Sequence, residues 1–243
     1  MHRTHPGRLA AGLAIACTLG AVSVAATGAA SAEVAPGAGV TVRVEGPKAT
    51  LQPATTVALS AGTIAKDGTL ADSCSSQSAA GALELATRGD WSGTWSSQYS
   101  AYFVTAIDGV SFPSTGATYW AFWINDAPAS AGICGVTPKP GDTILFFPDC
   151  YGKTCPKSAG VLGIKAPATA RVGHAITVTV TAYNDQSGAP APARGATVAG
   201  GGAHAKTAAD GTAQLTFTRA GHVTLRVRLP HAIRTEADVS VSG

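Results

Sequence analysis

Apolar and polar residues alternate with a period of two along much of the chain, which is typical of β-strands with one buried face. In the first half this pattern predicts strands at Val40–Val44, Ala101–Ile107, Tyr119–Ile124 and Thr143–Phe147. The third of these consists almost entirely of large apolar residues, so both of its faces must be covered by core or by a ligand. We therefore expect the first half to be organised around this strand and the one that follows it.

Two further elements complete the first half. A pair of short strands is predicted at Thr56–Leu59 and Gly62–Lys66, closed by the turn at Asp67-Gly68. Between Ser78 and Arg88 the apolar residues recur at i, i+3, i+4 and i+7, which predicts a helix. Gly81 lies inside this helix and would let it approach a sheet closely. A small sheet covered by one helix is an α+β unit.

The second half has the period of strands throughout. Alternation at Ile176–Ala182, Ala213–Phe217 and Val223–Leu229, with a turn signal about every ten residues, predicts an all-β sandwich. The predicted fold class is therefore mainly β, with an α+β domain followed by an immunoglobulin-like sandwich. We expect the domains at residues 40–155 and 163–243, joined by a linker at residues 156–162.

The N-terminus predicts export. Arg3 and Arg8 precede the apolar stretch Leu9–Ala26, and a small-x-small motif ends a signal peptide at residues 1–32. Lipid attachment at Cys17 is the alternative, although the residues before it suit that modification poorly. We expect a freely secreted, extracellular protein with no membrane span after cleavage.

The charge balance excludes one class of partner. Removing the two leader arginines from 17 Lys and Arg leaves 15 against 14 Asp and Glu, a net charge of +1. Such a chain lacks the basic surface that binding to nucleic acid or anionic lipid requires. We expect a monomer without a nucleic-acid partner.

Four cysteines remain after cleavage, and an even number in an exported chain predicts two disulfides. Residues 151–154 contain a glycine and can reverse the chain, which favours Cys150–Cys155 and leaves Cys74–Cys134 as the second bridge. Zinc bound through the two nearby cysteines is the competing interpretation, but the segment lacks histidine and the compartment is oxidising. The sequence therefore predicts no metal site.

Catalytic residues are hard to place. The histidines of the mature chain all lie in the second half and lack a metal-ligand spacing, and no G-x-S-x-G motif occurs. Five carboxylates of the first half are the candidates for a secreted hydrolase: Asp90, Asp108, Asp126 and Asp142 adjoin Gly or Asn as turn residues do, and Glu84 belongs on the exterior of the predicted helix. We expect a protein that is not an enzyme and keep the hydrolase as an alternative.

Ten aromatic residues lie within the 33 positions from 91 to 123, more than a single helix and a thin sheet should hide. We expect the excess to form an apolar face that binds a small ring-containing ligand, an extracellular protein or a cell-wall fragment. The same face would have a purely structural role if it docked on the second domain. The candidate binding residues are Trp91, Trp95, Tyr119, Trp120, Trp123 and Asn125.

The first half resembles the transcobalamin C-terminal-like domains of secreted bacterial proteins. The resemblance covers residues 40–148 and depends on VTVRVEG, AGALELA, YWAFWIND and PGDTILFF in that order. It implies an α+β fold and makes a corrinoid such as cobalamin a possible ligand, although the helical barrel that completes a cobalamin site is missing. The second half is similar to bacterial immunoglobulin-like repeats through GATV, DGTAQLTF and AGHVTLRV, which implies a spacer or adhesive unit.

Overall fold

A computed structural model describes residues 39–112, 116–153, 155 and 157–243. The predicted signal peptide, its cleavage position and the alternative at Cys17 all lie outside the described residues. Along residues 39–112 the elements are, in order, β1 (Val40–Glu45), β2 (Thr50–Val57), β3 (Thr63–Ile64), β4 (Cys74–Ser75), α1 (Ala79–Ala86), β5 (Trp91–Ser96), β6 (Ala101–Ile107) and β7 (Val110–Ser111). Residues 116–153 add β8 (Thr118–Ile124), β9 (Ala127–Pro128) and β10 (Thr143–Cys150).

The first half is built on a mixed sheet in the order β2-β1-β10-β8-β9. β1 and β10 are parallel, while β8 and β10 are antiparallel with Phe122 opposite Phe146 and Trp123 opposite Leu145. Alternate side chains of β8 and β10 therefore point to opposite faces. One face is buried under α1 and the smaller sheet β5-β6-β7, in a core that includes Leu83, Ile107 and Phe146.

Two local expectations for the first half need correction, and one strand was not predicted. Thr56–Leu59 and Gly62–Lys66 do not form a strand pair, because β2 pairs with β1 while β3 pairs with β4. The Ser/Gly-rich segment that contains Trp91 and Trp95 is strand β5, paired along β6. Gly81 is needed for close packing, but its close neighbour is the carbonyl of Ser76 in the preceding turn rather than a sheet.

The second half forms two packed sheets. Its strands are β11 (Val161–Lys165), β12 (Thr169–Arg171), β13 (Ala175–Tyr183), β14 (Pro190–Pro192), β15 (Thr197–Gly200), β16 (Ala203–Lys206), β17 (Thr212–Thr216), β18 (Gly221–Arg228) and β19 (Thr235–Ser242). One sheet joins β11, β14 and β17 to β13, and the other has the order β12-β19-β18-β15-β16. Val178, Phe217 and Leu225 are fully buried between them. The predicted fold class, mainly β with an α+β half followed by a sandwich, is confirmed.

The second face of the first sheet is covered by the second half. Trp123 and Phe147 pack against Val161, with Tyr183 and Ile233 at the margin of this cluster. Beside it Arg234 donates two hydrogen bonds to Glu45 Oε2, at 3.1 and 2.8 Å, although Glu45 is only 1% exposed. Apolar packing and a buried ion pair thus join the two halves.

Both disulfides are present. Cys74 is bonded to Cys134 and Cys150 to Cys155, with Cα–Cα distances of 4.9 and 5.7 Å. The first bridge ties β4 to the loop after β9, next to the N-terminus of α1. In the described part of the chain, no helix has the length and apolarity needed to cross a membrane.

Candidate functional site

A cleft of about 420 Å³ lies between strands β6 and β8, and we call it the aromatic cleft. Ala101–Val104 form one wall and Tyr119–Trp123 form the other. The loop after β9 closes one end, where Gly132 approaches Ala101 so closely that an added Cβ would lie 2.8 Å from the alanine Cβ. The remaining lining residues are Tyr99, Pro128, Ala129, Gly132, Ile133, Asp149 and Asp185. This volume falls within the range of small-molecule binding sites.

The cleft exists because two strands leave their adjacent edges uncovered. Asn125 N–H donates to Thr143 and Tyr151 N–H donates to Ala117, so the odd-numbered residues of β8 bond to β10. The even-numbered residues therefore point their backbone groups outward. Short β9 covers that edge only as far as Phe122, which accepts a hydrogen bond from Ala129 N–H. Within the described residues, no strand pairs with the outer edge of 118–121.

Three aromatic rings of the aromatic cleft are exposed to solvent. Tyr99 is 62% exposed, Phe103 53% and Tyr119 44%, whereas most large apolar side chains of this half are buried. Tyr99 and Phe103 meet edge to face, with their ring centroids 5.6 Å apart. Exposed rings beside a concave surface provide contact area to a ligand without a large loss of conformational entropy.

Three further rings line the aromatic cleft from buried positions: Tyr102, Trp120 and Trp123 are each less than a tenth exposed. The indole N–H of Trp120 is buried and has no acceptor among the described residues. Buried polar groups in folded proteins are usually hydrogen-bonded, so an unpaired donor in a cleft wall is an unusual feature. A ligand with a suitably placed acceptor is one way to satisfy it.

The polar end of the aromatic cleft contains Tyr119 and two carboxylates. Tyr119 Oη donates to Asp149 Oδ2 at 2.9 Å, and Asp149 Oδ1 accepts the backbone N–H of Cys150 at 2.8 Å. Partial burial, the hydrogen bond to Asp149 and the negative charges of Asp149 and Asp185 raise the pKa of Tyr119 to about 12. Tyr119 is therefore a neutral hydrogen-bond donor at physiological pH.

Half of the six residues predicted to bind a ligand line the aromatic cleft. Tyr119 does so from an exposed position, and Trp120 and Trp123 do so from buried ones. Trp123 also meets Phe147 edge to face at 5.9 Å, where the second half of the chain docks. The predicted apolar face of β8 is thus divided. The second half covers the end at Trp123, and the end at Tyr119 is open to solvent.

The other three predicted residues lie elsewhere. Trp91 is only 4% exposed, and its Nε1–H donates to Glu84 Oε2 at 2.6 Å within the core of the first half. Trp95 packs edge to face on Tyr102, at 5.0 Å between centroids, on the opposite edge of β6. Asn125 has a φ of 51° and bonds to Asp142 and Thr143, so it shapes the turn after β8. These three residues therefore do not line the aromatic cleft.

Other residues that line the aromatic cleft were not among the predicted binding residues. Tyr99 and Phe103 belong to the aromatic segment that prompted the prediction, and their spacing across a turn into β6 could have placed them together. Asp149 could have been found from its register, because it lies opposite Tyr119 on β10. Asp185 comes from the loop after β13 in the second half, and no local pattern indicates that it reaches this site.

The candidate hydrolase carboxylates do not line the aromatic cleft. Glu84 pairs with Lys66 at 3.0 Å, and Asp108 accepts a hydrogen bond from Gln52 at 3.0 Å. Hydrogen bonds from Asn125 and from the N–H of Lys139 lower the pKa of Asp142. Asp126 has a φ of 62° in the turn after β8, and Asp90 lies in the turn after α1. Among the described residues, no three His, Cys, Asp or Glu side chains form a group suited to a metal ion.

Comparison with known proteins identifies one family segment. Residues 90–147 match the model of a domain of unknown function, DUF4430, which is a transcobalamin-like family. This segment lies within the range on which the transcobalamin-like resemblance is based, and it contains both walls of the aromatic cleft. No curated protein matches the chain.

The solved structures that resemble this chain are distant. A Ruminococcus gnavus protein described as a candidate metal-binding protein is 14% identical, with a TM-score of 0.33 over 47% of this chain and 98% of its own. The Yersinia pseudotuberculosis adhesin InvE is 16% identical, with a TM-score of 0.26 over 58% of this chain and 53% of its own. The D0-D1 domain of intimin is 19% identical, with a TM-score of 0.26 over 57% and 88%. Likenesses of this size place no ligand or partner on this chain.

Proposed function

We propose that this chain is an exported, non-catalytic binding protein that holds an apolar ligand in the aromatic cleft. The observation that carries the proposal is the combination of a concave site of about 420 Å³ with three solvent-exposed rings at its walls. An exposed apolar surface costs free energy in water, and a ligand that covers it recovers that cost. The open edges of β6 and β8 maintain the concavity without any ligand.

The chemistry of the lining supports binding rather than turnover. In the aromatic cleft Asp149 already accepts hydrogen bonds on both oxygens, from Tyr119 and from the backbone of Cys150. These two bonds hold the carboxylate in place and leave further lone pairs on both oxygens free to accept from a ligand. Apart from Asp149 and Asp185, the described lining is aromatic or apolar and contains no histidine, lysine or cysteine, a composition that favours binding over turnover.

Export is supported by the sequence of the leader and by the cysteines. Both disulfides are formed, and disulfides are rare in proteins that remain in a reducing cytosol. We expect the mature protein to begin at Glu33, directly after the predicted cleavage motif. Mass spectrometry of the protein from culture medium should show this N-terminus, and a lipid-modified N-terminus at Cys17 would replace this assignment with the lipoprotein alternative.

The binding proposal is tested with N-phenyl-naphthylamine, a neutral probe whose fluorescence rises in apolar sites. Wild-type protein should bind it saturably, and Phe103→Ala should weaken binding about five- to tenfold because one exposed wall ring is lost. Leu70→Ala is the matched control, since Leu70 is 77% exposed and lies outside the aromatic cleft. Equal binding by the two variants, or no saturable binding by the wild type, would reject the proposal.

The corrinoid alternative is examined in the same titration. Cyanocobalamin is added as a competitor for the probe, and a coloured species that copurifies with the protein is sought in parallel. We expect no competition, because the residues of the aromatic cleft offer no counterpart of the missing helical barrel. Displacement of the probe by cyanocobalamin would favour a corrinoid-binding function instead.

A further inference from the structure

The charged residues that line the aromatic cleft have the same sign. Asp149 and Asp185 are both acidic, and the described lining contains no lysine, arginine or histidine. Neither carboxylate takes part in an ion pair among the described residues. The nearby raised pKa of Tyr119 has these two negative charges among its causes, which places both within electrostatic range of the same phenol.

The two carboxylates approach the aromatic cleft from different halves of the chain. Asp149 belongs to β10, while Asp185 lies in the loop between β13 and β14. That loop is held against the first half, because a Cβ at Gly188 would lie 3.2 to 3.3 Å from atoms of Pro128, Ala127 and Asp126. The negative end of the site is therefore built by the docking of the two halves.

Aromatic rings and carboxylates together favour one class of ligand. The face of an aromatic ring attracts a cation, and an uncompensated carboxylate at the edge of an apolar site attracts it further. The same carboxylates disfavour an anionic ligand, which would bring like charges together in a partly desolvated site. Tyr119 remains neutral and can donate only one hydrogen bond, which is already directed to Asp149.

We propose that the aromatic cleft selects ligands that carry an ammonium or guanidinium group on an apolar body. The body would lie against Tyr99, Phe103 and Tyr119, and the cationic group would lie at Asp149 and Asp185. This inference rests on the proposed binding function and specifies the chemistry of its ligand.

Two sources can supply this chemistry, a small organic amine and the basic side chain of an extended polypeptide. The outer edge of 118–121 presents backbone groups that a polypeptide can pair with and a small amine cannot. The unpaired indole N–H of Trp120 lies on the same strand. The two sources are therefore distinguished by whether backbone hydrogen bonds add to the affinity.

The charge preference is tested with three ligands that share one aromatic body: naphthylmethylamine, naphthylmethanol and naphthylacetate. Each is titrated against protein loaded with N-phenyl-naphthylamine. We expect the amine to bind about tenfold more tightly than the alcohol and the acetate to bind most weakly. Asp185→Asn should remove most of the advantage of the amine and leave binding of the alcohol unchanged.

A matched control and a second variant show whether the preference for the amine depends on the carboxylates of the aromatic cleft. Asp90→Asn removes a carboxylate outside the aromatic cleft and should preserve the tenfold preference. Asp149→Asn should reduce it as Asp185→Asn does. If all three naphthyl ligands bind equally, or if Asp185→Asn and Asp90→Asn behave alike, the charge proposal is overturned while binding of the neutral probe still supports the proposed function. Loss of all binding, including that of the neutral probe, would reject both.

The source is tested with a capped five-residue peptide, threonine-valine-lysine-valine-threonine, compared with butylamine at the same site. Tighter binding by the peptide, weakened by N-methylation of one alternate set of amides and not of the other, would identify an extended polypeptide as the source. Equal binding by the peptide and butylamine would identify a small amine. Binding of a norleucine form of the peptide as tightly as the lysine form would contradict the inference in either case.

Discussion

Replacing Arg234 with alanine should destabilise the whole molecule, because this side chain compensates a buried charge across the two halves. Its guanidinium donates to Glu45 Oε2 at 3.1 and 2.8 Å and to the carbonyl of Gly46 at 2.7 Å. The side chain of Glu45 is only 2% exposed, so water cannot replace these donors. Removing one partner of a buried ion pair costs about 3 to 5 kcal/mol, since the remaining charge is left desolvated.

The remaining contacts of Glu45 place the expected loss near the lower end of that range. Arg43 still donates to Glu45 Oε1 at 2.7 Å, and Thr50 does so at 3.0 Å. We therefore expect Arg234→Ala to lower the free energy of unfolding by about 3 kcal/mol. In urea this corresponds to a fall of roughly 1 M in the midpoint, with the typical slope of a chain this size.

Equilibrium unfolding followed by tryptophan fluorescence and by circular dichroism provides the assay for Arg234→Ala. The triple variant Arg43→Met, Glu45→Gln and Arg234→Met removes all three charges of this cluster and should recover a large part of the lost stability, because none of them remains buried without a partner. A single Arg234→Ala variant that unfolds within about 0.5 kcal/mol of the wild type would refute the reasoning. A triple variant less stable than the single one would also contradict this expectation.

Three further predictions follow from other contacts. Gly81→Ala should destabilise the protein by about 1 to 3 kcal/mol, because the new methyl group would collide with the Ser76 carbonyl. In a helix without such a neighbour the same change is stabilising. A variant that is more stable in thermal unfolding would contradict this prediction. Replacing both Cys74 and Cys134, which are 60 residues apart, with serine should lower the free energy of unfolding by about 4 kcal/mol on the chain-entropy model. Urea unfolding measures this difference, and a value below about 1 kcal/mol would be inconsistent with the prediction. Because the pKa of Tyr119 is raised to about 12, its neutral form favours folding below the unfolded pKa of about 10, and this contribution is lost as the pH rises towards 12. Alkaline titration of tyrosinate absorbance should lose one late-titrating group in Tyr119→Phe, and an unchanged curve would show that the assignment is wrong.

The periodicity of β8 predicted its two faces correctly, because side-chain alternation is a local property of the strand. Trp120, Phe122 and Ile124 lie with the core of the first half, and Trp123 lies on the other face. The sequence of β8 alone does not show what covers its second face. That cover depends on the docking of Val161, more than thirty residues downstream, so the alternatives of ligand and second domain stayed open.

Two other features of the first half also depend on contacts that the local pattern does not show. Trp91 was assigned to the apolar face as one of the clustered aromatic residues. In the structure its indole N–H donates a hydrogen bond to Glu84 in α1, and the side chain is buried there. Gly62–Lys66 was expected to pair with Thr56–Leu59, but its strand β3 pairs with β4, which the Cys74–Cys134 disulfide ties to the loop after β9. Turn residues and alternation specify the secondary-structure elements. The strand that each strand pairs with, and the side chains that it contacts, depend on the packing of the complete chain.

The docking of the two halves also affects the predicted ligand specificity. Asp185 reaches the aromatic cleft only because the second half is held against the first by Trp123, Phe147 and the Arg234–Glu45 ion pair. A variant with weakened docking should therefore lose part of its preference for the amine before it loses binding of the neutral probe. Arg234→Ala, studied in the absence of urea with the naphthyl series, provides that comparison, and an unchanged preference would contradict this coupling.

We propose above all that the space between β6 and β8 is a binding site. A crystal structure of the exported protein grown with naphthylmethylamine tests it most directly. We expect ligand density between Phe103 and Tyr119, with the amine nitrogen within hydrogen-bond distance of Asp149 or Asp185. Density at another surface, or an aromatic cleft that remains empty at saturating ligand in solution and in the crystal, would contradict it.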